Sequence, residues 1–401
     1  MEAPQFNFSG KRVLVTGGTG FIGGRLVERL IMECKADVRV LVRNLARASR
    51  IGRFPVEMIH GDLQEQQKIE QAVHGCDTIF HCAVGVDGSD EKQRRVNVDA
   101  TRYLLEAALK AGVQRLVYIS TVMVYGTPPD GDLDESTPKQ PDDDIYSRSK
   151  LESEQLILEY AATRDLSATV LQPTIVYGPF AAAWTINVLK QLKRKRAILV
   201  NGGDGLCNAV YIEDLINAIF LAAVEERAIG RTVLISGDAP VTWQEFYGQF
   251  EKMLGCDSTV SMTAAEAEAY FVEKRGRKSL VKEAWTILKE EHQLRWRVRN
   301  TRGVDTLMKV GRAVLPKQLR HAVKNRIKNT NGMSSQMNNK RSMEADEKSI
   351  QILGPASIQF YASKVHVRID KAKRLLGYKP IFDLNSGMKL TEQWARWANL
   401  L

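Results

Sequence analysis

The run Thr16-Gly17-Gly18-Thr19-Gly20-Phe21-Ile22-Gly23 follows directly on the strand-like stretch Arg12-Val13-Leu14-Val15. A strand that stops on glycines and resumes as an amphipathic helix (Ile22, Leu26, Leu30) has few ways to fold. Gly17 permits a tight turn, Gly20 lets the backbone approach a pyrophosphate, and Gly23 lets the helix pack close to the strand. Phosphates then face the unpaired N–H groups of Phe21, Ile22 and Gly23, at the positive end of the helix dipole. The spacing therefore predicts a dinucleotide cradle.

An acidic residue is expected about twenty positions further on, where it would accept hydrogen bonds from a ribose 2′-hydroxyl. The second strand, Asp37 to Val42, ends instead in Arg43. A guanidinium there favours a 2′-phosphate by charge and by bidentate geometry. Arg47 and Arg50 follow and are expected to assist. NADP(H) is thus expected in preference to NAD(H).

Strand-like and helix-like stretches alternate through the first half of the chain. Val56 to His60, Thr78 to Ala83, Gln114 to Ser120 and Ala168 to Gln172 read as strands. Helices are expected from about Leu63 to Val73, from Asn97 to Ala111 and over 146 to 163. This order predicts an α/β fold, a doubly wound parallel sheet of the Rossmann kind with helices on both faces. Its ligands belong outside the carboxyl ends of the strands. The expected organisation is a dinucleotide-binding domain over 8–172 and a mixed remainder of sheet and substrate region over 173–270. A basic helical insertion over 271–345 and a C-terminal part of the substrate domain over 346–401 complete it. Thr242 and Glu245 have the spacing of a capping box, and an amphipathic helix is expected after Asp383.

The net charge of +10 is concentrated. Residues 271–330 hold 17 Lys/Arg against 5 Asp/Glu, and the remainder is nearly balanced. Amphipathic patterns there (Leu280, Val281, Ala284, Trp285, Leu288; then Val304, Leu307, Met308, Val314; then Leu319, Val323, Ile327) suit solvated helices packed on the substrate domain, a lid, or contact with an anionic membrane surface. Nucleic acid is not expected, since no recognised binding module is present. No apolar run approaches the ~18 residues that span a bilayer, and no secretory signal is visible at the first residues. The five cysteines contain no Cys-x-x-Cys and the histidines no ligand-spaced pair, so reduced thiols, a cytoplasmic setting and no metal site are expected.

Tyr146-Ser147-Arg148-Ser149-Lys150 places a phenol and an ammonium four residues apart, on one face of a helix. A tyrosine titrates near ~10, and a nearby cation lowers that value. Tyr146 is then suited to exchange a proton with an alcohol or ketone oxygen. Thr121, at the end of the preceding strand in Ser120-Thr121-Val122-Met123-Val124-Tyr125-Gly126, is placed to hold that oxygen. Together with the glycine loop, these motifs resemble the extended short-chain dehydrogenase/reductase superfamily, whose large branch is the epimerase/dehydratase family. The resemblance covers most of residues 10–265 and resumes over 364–401. It implies Thr121, Tyr146 and Lys150 as catalytic residues, with Lys150 also bonding the nicotinamide ribose. It implies Asp62 and Leu63 at the adenine, Ala83 lining the cofactor, Asn97 as a structural support, and Pro173 beside the nicotinamide. Asp214 matches a common aspartate expected to be structural. A homodimer and a small-molecule substrate are further expectations.

Departures from the family's pattern bear on substrate. Ile175 replaces an asparagine common in nucleotide-sugar enzymes, Asn208 stands where they often carry a phosphate-binding arginine, and Val122-Met123 replaces the acidic pair of sugar dehydratases. The reading is an NAD(P)-dependent oxidoreductase acting on a secondary alcohol or ketone. A nucleotide-sugar epimerase and a non-catalytic dinucleotide-binding scaffold at a membrane surface are the alternatives.

Overall fold

The structure is a computed structural model, and it describes residues 6–275 and 349–401. The basic segment expected over 271–345 lies outside the described residues except for 271–275, which are helical.

Seven parallel strands form the central sheet: β1 (Arg12–Thr16), β2 (Asp37–Val42), β3 (Glu57–His60), β4 (Thr78–His81), β5 (Arg115–Ile119), β6 (Ala168–Pro173) and β7 (Thr232–Ile235). Their spatial order is β7-β6-β5-β4-β1-β2-β3. The order reverses between β1 and β4, so a crevice opens at their carboxyl ends, where such sheets bind ligands. The central strands are buried on both faces, as continuous apolar runs such as Val13-Leu14-Val15 require.

One face is covered by α1 (Phe21–Met32) and by a second helix over Ile212–Val224, with Phe8, Phe80 and Phe220 packed between helix and sheet. The other is covered by α2 (Gln66–Val73), α3 (Ala100–Ala111) and α4 (Ile145–Thr163). The helix expected from Asn97 begins earlier, at Asp90, capped by the Ser89 side chain, and passes through one wide π turn over Arg95–Asp99 before α3.

Beyond the sheet, short strand pairs assemble a second region above its carboxyl edge. Gly131–Leu133 pairs with Val365–Val367, Ile175–Tyr177 with Ala209–Tyr211, and Ala197–Val200 with Thr259–Met262. The expected capping box closes at both bonds, Glu245 N–H to Thr242 Oγ at 3.1 Å and Thr242 N–H to the Glu245 carboxylate at 2.7 Å. The C-terminal helix runs over Leu384–Trp397, capped by Asp383. Asp214 accepts the N–H groups of Ile381 and Phe382 at 2.8 and 3.1 Å, so its carboxylate anchors the segment leading to that helix.

Candidate active site

The glycine loop is as tight as its sequence demands. Gly17 adopts φ +70, and a Cβ there would lie 2.7 Å from the backbone nitrogen of Ala83. A Cβ on Gly23 would lie 2.4 Å from the Gly17 carbonyl oxygen. Neither position accepts a side chain, and the turn is pressed against the chain leaving β4. Gly20 caps α1 with no side-chain hydrogen bond, and the first turn, with Phe21 and Ile22, carries no acid. The helix therefore presents its N–H groups and its positive end to whatever sits above the loop. This cradle fits a pyrophosphate by its shape and its donors.

Arg43 lies at the end of β2 with 62% of its side chain exposed, its guanidinium 3.8 Å from the Asp62 carboxylate at the end of β3. Arg47 is also exposed. Arg50 corrects the expectation placed on it. Its guanidinium makes two 2.9 Å bonds to buried Glu28, reaches the Phe21 carbonyl at 3.4 Å and stacks on the Phe180 ring at 4.1 Å. A guanidinium so fully engaged is a strut between α1 and the Phe180 loop, not a phosphate ligand. Phe180 itself sits at φ +68, a strained conformation for a bulky residue, and is held there by Arg50 on one side and Trp394 on the other. A groove of about 680 Å³ lies beside this strut, between α1, the helix over Ile212–Val224 and the C-terminal segment. Thr121, Tyr146 and Lys150 are not among its lining residues.

Thr121 follows β5 and opens a short turn, its hydroxyl oxygen accepting the Met123 N–H at 3.2 Å. Tyr146 stands in the first turn of α4, whose N-cap is Asp144. Burial holds the Tyr146 phenol above its ordinary proton affinity, opposed by the nearby Thr121 hydroxyl, which favours the phenolate, with the Asp144 charge adding to the rise. Lys150, one turn along, is 3% exposed. Its Nζ donates to the Ile119 carbonyl at 2.6 Å and lies 4.1 Å from the centre of the Tyr118 ring. Burial pushes the ammonium down to about 7, with the charge of Glu154 opposing that fall. The lowering of Tyr146 expected from Lys150 is not among the influences acting on the phenol here. Desolvation dominates both groups, because α4 and the strand ends enclose them.

Supports of this pair come from β4. His81 is buried, its Nδ1 2.7 Å from Thr16 Oγ and its Nε2 3.0 Å from Thr101 Oγ. Thr101 donates its own proton to the Asn97 carbonyl, so it accepts from Nε2–H. Burial, with the Lys150 charge, pushes His81 down to about 3. Asn97, in the π turn, exchanges 2.7 and 3.1 Å bonds with the backbone of Gly85 and donates to Ser149 Oγ at 2.9 Å. That one side chain joins the loop after Ala83 to the turn of α4 between Tyr146 and Lys150. Leu63, in the loop entering α2, and Pro173, the last residue of β6, also lie at strand carboxyl ends. Asn208 is not positioned as a ligand. Its amide brackets Val365 and Val367 at 2.8 and 2.9 Å and holds the C-terminal strand in place.

His81 and Glu154 were not singled out by the sequence reading. The available signal for Glu154 was an acid on the otherwise apolar, small-residue face of α4 that carries Ser153, Leu156 and Ile157.

This combination defines a Rossmann dehydrogenase-type protein, and comparison with known proteins places it more narrowly. Residues 13–236 match the model of the NAD dependent epimerase/dehydratase family, and the chain belongs to that family. It is 30% identical over 273 residues to a 4-hydroxy-2-methyl-3-oxo-4-farnesyl-3,4-dihydroquinoline-1-oxide ketoreductase of Stigmatella aurantiaca, covering 65% of this chain and 80% of that one. It is 31% identical over 253 residues to a 3 beta-hydroxysteroid dehydrogenase/Delta 5-->4-isomerase of Mycobacterium tuberculosis, covering 59% and 67%. In fold it is similar to the epimerase Mth375 of Methanothermobacter thermautotrophicus, with a TM-score of 0.68 and 18% identity over 98% of this chain and 95% of that one. The chain is an extended short-chain dehydrogenase/reductase, an NAD(P)-dependent oxidoreductase or epimerase. No described helix is long and apolar enough to cross a membrane.

Proposed function

We propose that this chain is an NADP(H)-preferring reductase or dehydrogenase that interconverts a ketone and a secondary alcohol on a largely apolar small molecule. The observation that carries the proposal is the placement of Tyr146 in the first turn of α4, under the influence of the Thr121 side chain and one helical turn from the buried Lys150. When bound, the nicotinamide supplies or accepts the hydride. Tyr146 gives its phenolic proton to the carbonyl oxygen, or takes one from the alcohol. Thr121 fixes that oxygen in line with the phenol, its own oxygen being held by the Met123 N–H. Lys150 brings a cation to a buried position, where electrostatic interactions are stronger than at the surface.

Preference for the phosphorylated cofactor is supported by Arg43, which is exposed at the end of β2 with only a long contact to Asp62. An apolar substrate is supported by Val122 and Met123 directly after Thr121, and by Ile175 in the short strand that follows Pro173. The names of the two relatives, a ketoreductase and a hydroxysteroid dehydrogenase, point the same way.

The test is NADPH oxidation by the purified protein with a panel of hydrophobic ketones. Stoichiometric loss of NADPH, faster than with NADH, is the expected result. Conversion of a nucleotide sugar with no net change in cofactor would replace this reading with an epimerase.

A further inference from the structure

We propose that Glu154 is a positioning residue of this site: a buried carboxylate, clamped by Gln172 and Lys139, that sets the charge of Lys150 one helical turn away. The proposal rests on the reading of Lys150 given above.

Glu154 is wholly buried. An isolated carboxylate in such a place would be strongly destabilising, so its partners matter. The Gln172 side-chain amide donates to both carboxylate oxygens, at 2.8 and 3.0 Å, and Lys139 Nζ donates at 2.6 Å. The Tyr125 hydroxyl donates to Gln172 Oε1 at 2.9 Å, which turns the amide nitrogen toward Glu154. The two partners and the tyrosine that orients one of them come from different places: Gln172 from β6, Tyr125 from the turn that Thr121 opens, and Lys139 from the segment entering α4. One carboxylate thus ties together the elements that carry Thr121, Tyr146 and Lys150.

The clamp accounts for two acceptor oxygens at this position, since a glutamine would turn its NH2 against one of these donors. The carboxylate's charge also reaches Lys150. Residues 150 and 154 share a face of α4. The groups around Lys150 are His81 on β4, Cys82 just after it, Tyr118 on β5, Tyr146 on its own helix and the Ile119 carbonyl. His81 is held neutral with its value near 3, burial pushes the Cys82 thiol up to about 12, and burial raises the Tyr118 phenol. All of them are uncharged near neutral pH, so Glu154 is the carboxylate that opposes the effect of burial on Lys150. Lys139, 23% exposed, partly neutralises Glu154 from the solvent side.

The experiment is a pH titration of the Lys150 ammonium by nitrogen-15 lysine NMR on the full chain, its signal assigned with Lys150→Met. Fold is checked by circular dichroism. In Glu154→Gln the Lys150 midpoint falls by about one pH unit or more, and Glu154→Asp restores most of it. Lys139→Gln, at a partly exposed site, moves the midpoint up and provides the readout if Glu154→Gln does not fold. An unchanged midpoint in Glu154→Gln, or an unchanged or lowered one in Lys139→Gln, overturns the proposal. Failure of the wild-type protein to bind NADPH would sink the functional reading and leave the Lys150 shift to be judged by itself.

Discussion

Lys150 donates to the carbonyl oxygen of Ile119 at 2.6 Å, tying helix α4 to the last residue of β5. The bond places an ammonium where water does not reach and gives it one carbonyl and one aromatic face in exchange. Much of the behaviour expected of this protein with pH follows from that exchange.

Lys150 titrates near 7 in the folded chain against an ordinary value of 10.5. As pH falls from about 10.5 to 7 the unfolded chain takes up this proton before the folded one does, so folding loses stability across that window. The loss is complete below pH 7. Lys150→Met removes the term. Its thermal midpoint relative to wild type should therefore be more favourable at pH 7 than at pH 10.5. Thermal melts at the two pH values check this, and an equal difference at both would contradict it.

His81 adds a second slope at acid pH. Its folded value of about 3 lies below the ordinary 6.5, so the unfolded chain binds the proton first and stability falls between pH 6.5 and 3. The full slope for one such group is about 1.4 kcal/mol per pH unit. Urea unfolding of His81→Gln should show a shallower acid decline than wild type, whatever its stability at pH 7. Parallel declines would mean that the imidazole is protonated in the folded chain.

Arg43 is a test of cofactor choice. Arg43→Ala should weaken NADPH binding about tenfold, the size of one exposed charge-assisted contact, and leave NADH binding nearly unchanged. Arg50→Ala should instead lower stability, because it removes the two shortest bonds to buried Glu28 and leaves it only the longer ones from Arg25 and Arg53. Fluorescence titration with both cofactors separates the two outcomes.

Gly23→Ala should abolish cofactor binding. The added methyl would stand 2.4 Å from the Gly17 carbonyl and 2.8 Å from its carbon, both backbone atoms with no freedom to yield cheaply. The loop must open or α1 must shift, and either change removes the cradle. Gly112→Ala, where a Cβ meets nothing within 4 Å although φ is +66, is the control that measures backbone strain alone.

The sheet, its helices and the glycine turn were legible because they are written in local patterns: apolar runs of strand length, glycines at fixed offsets, and caps such as Thr242 with Glu245 and Asp383. The elements bearing Thr121, Tyr146 and Lys150 were equally plain. What local pattern does not encode is which partner a polar side chain finds at long range. Arg50 and Arg43 look alike in sequence, yet one turns inward to Glu28 and the other stays in solvent. Asn208 stood where a substrate anchor was sought, but its partners are residues 365 and 367, far along the chain. His81 reads as an ordinary strand histidine until Thr16 and Thr101 are seen on either side of it.

The proposed function turns on proton transfer by Tyr146. Its most direct test is single-turnover ketone reduction by Tyr146→Phe with NADPH already bound, beside wild type. Phenylalanine keeps the ring and removes only the hydroxyl. The expected result is NADPH affinity within about twofold of wild type, with reduction slowed about 10²- to 10⁴-fold, the range of a lost general acid. Reduction at the wild-type rate would rule out Tyr146 as the proton donor.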